Sequence, residues 1–167
     1  MPMRVYLPAT LSMIGEFTAD TDNAFTPLGG TGFAVTPTLR EAYTSGDDEE
    51  LGEVALREAA RASLRLLSTD ESDLPPRRVV VVADVDAQVR PDLDDAVVRV
   101  SGSVPNGDIV AVHVDGAAAE SAVRAAVEVI DAADLGDQDA ELVLGDVEDH
   151  DLGWYATQEL PFLLELL

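Results

Sequence analysis

The chain contains no cysteine and no lysine; its ten basic residues are all arginine. Without cysteine there is no disulfide, no thiolate nucleophile and no cysteine-ligated zinc. Without lysine there is no Walker phosphate loop, no Schiff base and no attachment point for pyridoxal phosphate. Nor is there a run of about 18 apolar residues of the kind that spans a bilayer. The opening Met1-Pro2-Met3-Arg4-Val5-Tyr6-Leu7 is too brief an apolar run for a secretory leader, so a cytoplasmic location is expected. Positive charge is scarce as well: ten arginines face 33 acidic residues, for a net charge of −23 at pH 7. Such a field repels phosphate backbones and anionic lipid, so neither nucleic acid nor membrane is an expected partner. The plain reading of the charge is a solvated acidic surface; the sharper one is mimicry of nucleic acid or capture of cations.

The stretch that organises the rest runs from Arg77 to Asp86. From Val79 to Ala83 every residue is apolar, which implies a central strand covered on both faces. Around it the chain alternates strands and helices. Arg4 to Leu7 reads as a strand stopped by Pro8, and Thr10 as the cap of a short helix over Leu11, Ile14 and Phe17. Residues 18–31 read as a long loop and Phe33-Ala34-Val35 as a strand. The next helix opens either with Thr36 as cap and Pro37 in the first turn, or with Thr38 and Glu41 as a capping box. A long helix starts behind Asp47 and ends near Ser68, its wide apolar face holding Leu51, Ala55, Ala59 and Ala62. Strands follow at 96–101 and 109–114. Between them, Asn106-Gly107 signals a hairpin, while Pro105 equally opens one helical turn. Ala117 to Ala133 reads as a helix, Glu141 to Leu144 as an edge strand, and His150 to Leu160 as a last helix ending or kinking at Pro161. The expected architecture is an α/β (α+β) two-layer sandwich, with helices packed on a mixed β-sheet of about five strands. All 167 residues are expected in one domain.

Four stretches, RVYLPATL at 4–11, FAVTPTLREAY at 33–43, VHVD at 112–115 and WYATQEL at 154–160, together carry a resemblance. The chain resembles an uncharacterised family of small acidic actinobacterial proteins, a domain of unknown function. The resemblance spans nearly the whole chain and implies an actinobacterial, cytosolic protein. It implies no catalytic residue and no cofactor.

The residues that could carry chemistry are few. Gly29-Gly30-Thr31-Gly32 precedes a strand and matches no dinucleotide or phosphate fingerprint, so turn chemistry is the plain reading. Asp84 and Asp86, at the end of the central strand, resemble the opening motif of haloacid-dehalogenase-type phosphatases. That motif has Thr where this chain has Gln88, and those enzymes need a lysine, which speaks against a phosphatase. The only two histidines, His113 and His150, each sit beside acids. On a strand His113 and Asp115 share a face. Were His150 to meet them, His113, Asp115 and His150 would form a two-histidine, one-carboxylate site for Fe²⁺ or Zn²⁺. The plain reading is one core histidine and one at a helix start. Arg57, Arg61 and Arg65 recur every four residues, either as a salt-laced helix edge with Glu53 and Glu58 or as a partner site. Glu159 is placed to turn toward the core as a partly buried acid. The tail Phe162-Leu163-Leu164-Glu165-Leu166-Leu167 is too apolar to stay in water and is expected to dock, on its own sheet or across a dimer.

These features assign no activity. They favour a non-enzymatic cytosolic interaction or regulatory protein, with an unidentified protein partner or a second copy of itself. The alternative is a small metal-binding protein or metal-dependent enzyme using the two histidines and Asp115.

Overall fold

The structure is a computed structural model that describes residues 2–43 and 45–167. The strands are β1 (Pro2–Ala9), β2 (Ala24–Phe25), β3 (Thr31–Phe33), β4 (Val79–Asp86), β5 (Gln88–Val89), β6 (Val97–Arg99), β7 (Val104–Pro105), β8 (Ile109–Val114) and β9 (Gly153–Tyr155). The helices are α1 (Leu11–Ala19), α2 (Pro37–Ala42), α3 (Asp48–Leu67), α4 (Glu120–Asp134), α5 (Gln138–Glu148) and α6 (Leu160–Glu165). Seven strands form one sheet in the order β5-β6-β3-β1-β4-β8-β9, and β2 pairs with β7 in a small ribbon. Among the described residues, no helix is long and apolar enough to cross a membrane.

The α/β class and the packing of helices on a sheet are as expected, and the sheet differs in detail. Among the described residues it has seven strands rather than about five, and its pairings are antiparallel rather than mixed. The reason lies in the crossover. β3 and β4, joined through α2 and α3, both run antiparallel to β1 and therefore parallel to each other. Helical crossovers normally join parallel neighbours, but here β1 is inserted between them and turns one parallel contact into two antiparallel ones.

The central strand is β4, and both its faces are covered. Val79, Val81 and Ala83 join a core with Val5, Leu7 and residues of α1 and α6. Val80 and Val82 join a second core with Phe33, Leu51, Ala55 and Ala59 under α3. The sheet is thus a middle layer rather than one side of a two-layer sandwich, as cover on both faces of β4 requires. A third cluster, around Leu64, Val123, Ile130 and Leu144, seats α4 and α5 against the C-terminal half of α3.

Three helix starts obey the expected capping chemistry. The Thr10 hydroxyl accepts from Met13 N, Thr36 from Leu39 N with Pro37 in the first turn, and the Asp47 carboxylate from Glu50 N. Ser68 closes α3. Pro8 does not stop β1. That strand meets β3 only where Tyr6 faces Phe33, so on the β3 side of Pro8 there is no ladder bond to lose. The glycine-rich stretch combines a turn with a packing demand. Gly30 has φ +73°, and a Cβ there would lie 2.5 Å from the Val100 carbonyl oxygen. Gly32, within β3, would place a Cβ 2.6 Å from Val5 Cγ1.

Other expectations are overturned. Residues 141–144 lie inside α5, which Asp137 caps by accepting from Ala140 N. No helix runs from His150 to Leu160: residues 153–155 pair with β8 as β9, and α6 begins at Leu160 with Pro161 in its first turn. Residues 106–108 form a 3-10 turn, and β6 and β8 pair with other strands, so the helical-turn reading holds there and the hairpin does not. The apolar tail docks on its own chain. Leu160 and Leu163 enter the core beside α1, while Phe162 and Leu166 stay exposed.

Candidate functional site

Alternation along the strands places Tyr6, Val80, Val82 and His113 on the face that α3 covers. Ala55 and Ala59 are fully buried there, and their small side chains bring α3 close to the sheet. At Gly52 the approach is closest, since a Cβ would lie 3.0 Å from the Tyr6 hydroxyl. Two cavities open along α3, one beside its first turns and the other beside its middle, where Val147 and Glu148 of α5 join the wall. One, of about 640 Å³, has Arg4, Tyr6, Val35 and Asp84 in its walls; the other, of about 510 Å³, is bounded by Arg57, Ala60, His150 and Leu152. Glu53, Leu56 and His113 line both, so the two cavities adjoin along α3 and are together termed the trough.

His113 lies at the middle of this trough and is half-buried. Burial pushes its pKa below the ordinary 6.5, with Glu53 pulling weakly the other way, so the ring is neutral at pH 7. Among the described residues none hydrogen-bonds to this ring, which leaves its polar nitrogens for a ligand or water. Burial also raises the pKa of the half-buried Tyr6 hydroxyl, opposed by Arg4 and reinforced by Glu53 and Asp84.

Most cations of the trough are already committed. Arg4 pairs with Asp84 at 3.1 Å, and Arg40 pairs with Asp48. Arg61 binds Asp134 and Glu141, each at 3.0 Å, and Arg65 binds Asp134 at 2.7 Å. Arg61 and Arg65 therefore bridge α3 to α4 and α5, where the sequence suggested pairing within one helix. Arg57 alone of the three stays exposed without an ion pair to any described residue.

Arg78 forms the most buried ion pair. It is 4% exposed, and Asp115 is wholly buried. Its Nε donates to Asp115 Oδ2 at 2.8 Å, its Nη2 to Oδ1 at 2.8 Å, and its backbone N to Oδ2 at 2.9 Å. Nη2 also donates to the His150 carbonyl at 2.8 Å, pinning the segment that walls one end of the trough. Its neighbour Arg77 pairs with Glu120 at 2.8 Å. In sequence, both arginines simply open the stretch that runs from Arg77 to Asp86. The signal was the charge pair placed directly before a fully buried run, with VHVD ending the neighbouring strand.

The three candidate metal ligands are placed as follows. His113 and His150 line the same cavity, while the Asp115 carboxylate is taken by Arg78. Among the described residues no group of three or more histidine, aspartate or glutamate side chains is arranged to hold a metal ion. Asp84 is tied to Arg4. Glu159 is exposed and accepts from Ala156 N at 2.8 Å, so it is not the partly buried acid expected on a helix.

A family model described as a family of unknown function (DUF6912) matches residues 3–164. The chain belongs to this family. Within DUF6912 the matched span includes every residue of the trough named above. No curated protein and no solved structure matches the chain.

Proposed function

We propose that this DUF6912 member is a cytoplasmic, non-enzymatic interaction protein that holds a segment of a partner protein in the trough beside α3. The observation that carries the reading is that the two cavities adjoin along α3, with Glu53, Leu56 and His113 in the walls of both. A trough along a helix, lined by charged and polar side chains together with Val35, Leu56, Ala60 and Leu152, suits an extended or helical segment better than an enclosed small molecule. The buried pair of Arg78 with Asp115, and the bond from Arg78 to the His150 carbonyl, hold one end of the trough in place, which limits the ordering cost of binding there.

The test is selection from a random peptide library displayed on phage, run against the parent and against Leu56→Trp. Leu56 is half-buried at the junction of the two cavities, so a tryptophan there fills the trough without replacing a fully buried side chain. Clones that bind the parent and lose the variant, with melting of the variant unchanged, support the reading. Clones that hold both proteins equally overturn it.

A further inference from the structure

We infer that the segment taken by the trough is cationic, with an arginine or lysine side chain seated between Glu53 and His113. This rests on the trough being the binding surface and names the chemistry of its partner. The argument is one of uncompensated charge. Arg4, Arg40, Arg61 and Arg78 are neutralised by carboxylates of this chain. That leaves Glu49, Glu53, Glu148 and Asp151 on the trough walls without an ion pair or hydrogen bond to any described residue, against Arg57 alone.

Glu53 is the central member of this excess, since it lines both cavities together with Leu56 and the neutral ring of His113. A cleft with an excess of one sign of charge concentrates counter-ions. An incoming guanidinium or ammonium would meet a free carboxylate and an unbonded imidazole nitrogen that can accept its hydrogen. An acidic segment would meet the same four carboxylates and the −23 net charge behind them. Cationic partners are therefore selected both by attraction at Glu53 and by rejection of the opposite sign.

The probe is an end-capped heptapeptide of alternating alanine and arginine, labelled with fluorescein and measured by anisotropy at physiological salt. A second peptide carries citrulline, the uncharged isostere, in place of arginine. The decisive comparison is Glu53→Gln against Glu128→Gln. Both remove one negative charge from an exposed position, but Glu128 lies on α4 outside the trough. We expect Glu53→Gln to weaken the arginine peptide about tenfold, as loss of a charge-assisted contact does. Glu128→Gln should change it by less than about twofold, because an exposed charge at that remove is screened. Equal losses from the two variants would mean that the overall field binds the peptide and would overturn the inference. So would absence of binding to the parent at millimolar peptide. If the citrulline peptide binds as tightly and Leu56→Trp abolishes it, the trough stands and the cationic assignment falls. If the arginine peptide binds and Leu56→Trp leaves it unchanged, the trough itself is refuted.

Discussion

Replacing Asp115 with alanine tests how the end of the trough is held. The carboxylate is wholly buried and accepts three hydrogen bonds, two from the Arg78 guanidinium and one from its backbone N. Arg78, at 4% exposure, cannot recover those bonds from solvent without moving. Removing one partner of a buried pair costs roughly 3–5 kcal/mol, because the other charge is left uncompensated. Typical domain stability is about 5–15 kcal/mol, so the variant should fold but sit near the edge. With a urea dependence of about 2 kcal/mol per molar, the unfolding midpoint should fall by about 1.5–2.5 M. The double replacement Arg78→Met with Asp115→Leu should recover much of the loss, since an apolar pair often substitutes for a buried ion pair. It should not recover all, because the His150 carbonyl loses its donor, worth about 1–3 kcal/mol. If Asp115→Ala unfolds within about 1 kcal/mol of the parent, the pair is not the anchor described.

Further outcomes follow from burial and charge. Val81→Asp should prevent folding, because Val81 is fully buried in the central strand and an unpaired buried charge costs several kcal/mol; a circular dichroism melt close to the parent's would refute this. In α6, Leu163→Ala should cost about 2–5 kcal/mol, and Phe162→Ala, at a 68% exposed position, should stay within about 0.5 kcal/mol. Equal effects in urea unfolding would show that the tail does not dock as described. The depressed pKa of His113 has a signed consequence. The unfolded chain takes up this proton near pH 6.5 and the folded chain only at lower pH, so stability should fall as pH drops from about 6.5 toward the folded value. His113→Gln should flatten that part of a urea stability profile between pH 5 and 8, and an unchanged slope would refute the burial of the ring.

Legibility of the fold tracked how local each signal was. The Thr10, Thr36 and Asp47 caps and the α3 stripe depend on residues within a turn or two of each other, and all can be read in sequence. The cover on β4 could be read because Val79 to Ala83 lacks any polar residue. Residues 141–144 could not be resolved, since Leu142-Val143-Leu144 is a short apolar run that suits a strand as well as a helix. Only the cap at Asp137 and the packing of Leu144 on α4 decide for α5. The stretch 150–160 failed for a different reason. Its spacing of Leu152, Tyr155, Ala156 and Glu159 imitates a helix face, whereas pairing of 153–155 with β8, some forty residues earlier, fixes it as a strand.

The candidate site was legible in part. His113, Asp115, His150 and Arg57 stood out in sequence. Their relations depend on long-range contacts: Arg78 removes Asp115 from the set, and α3 brings Glu53 to His113 from sixty residues upstream. The committed state of Arg61 and Arg65 was likewise hidden, because Asp134 and Glu141 belong to helices packed alongside rather than to the same helix.

The most direct measurement of the central claim uses the ring signals of the two histidines. A carbon–proton correlation spectrum would follow both rings while the alanine–arginine heptapeptide is added to the full chain. Binding in the trough predicts that the His113 ring signals move in step with peptide saturation, and that Leu56→Trp abolishes the movement. Saturable binding that leaves the His113 ring unmoved would contradict the claim.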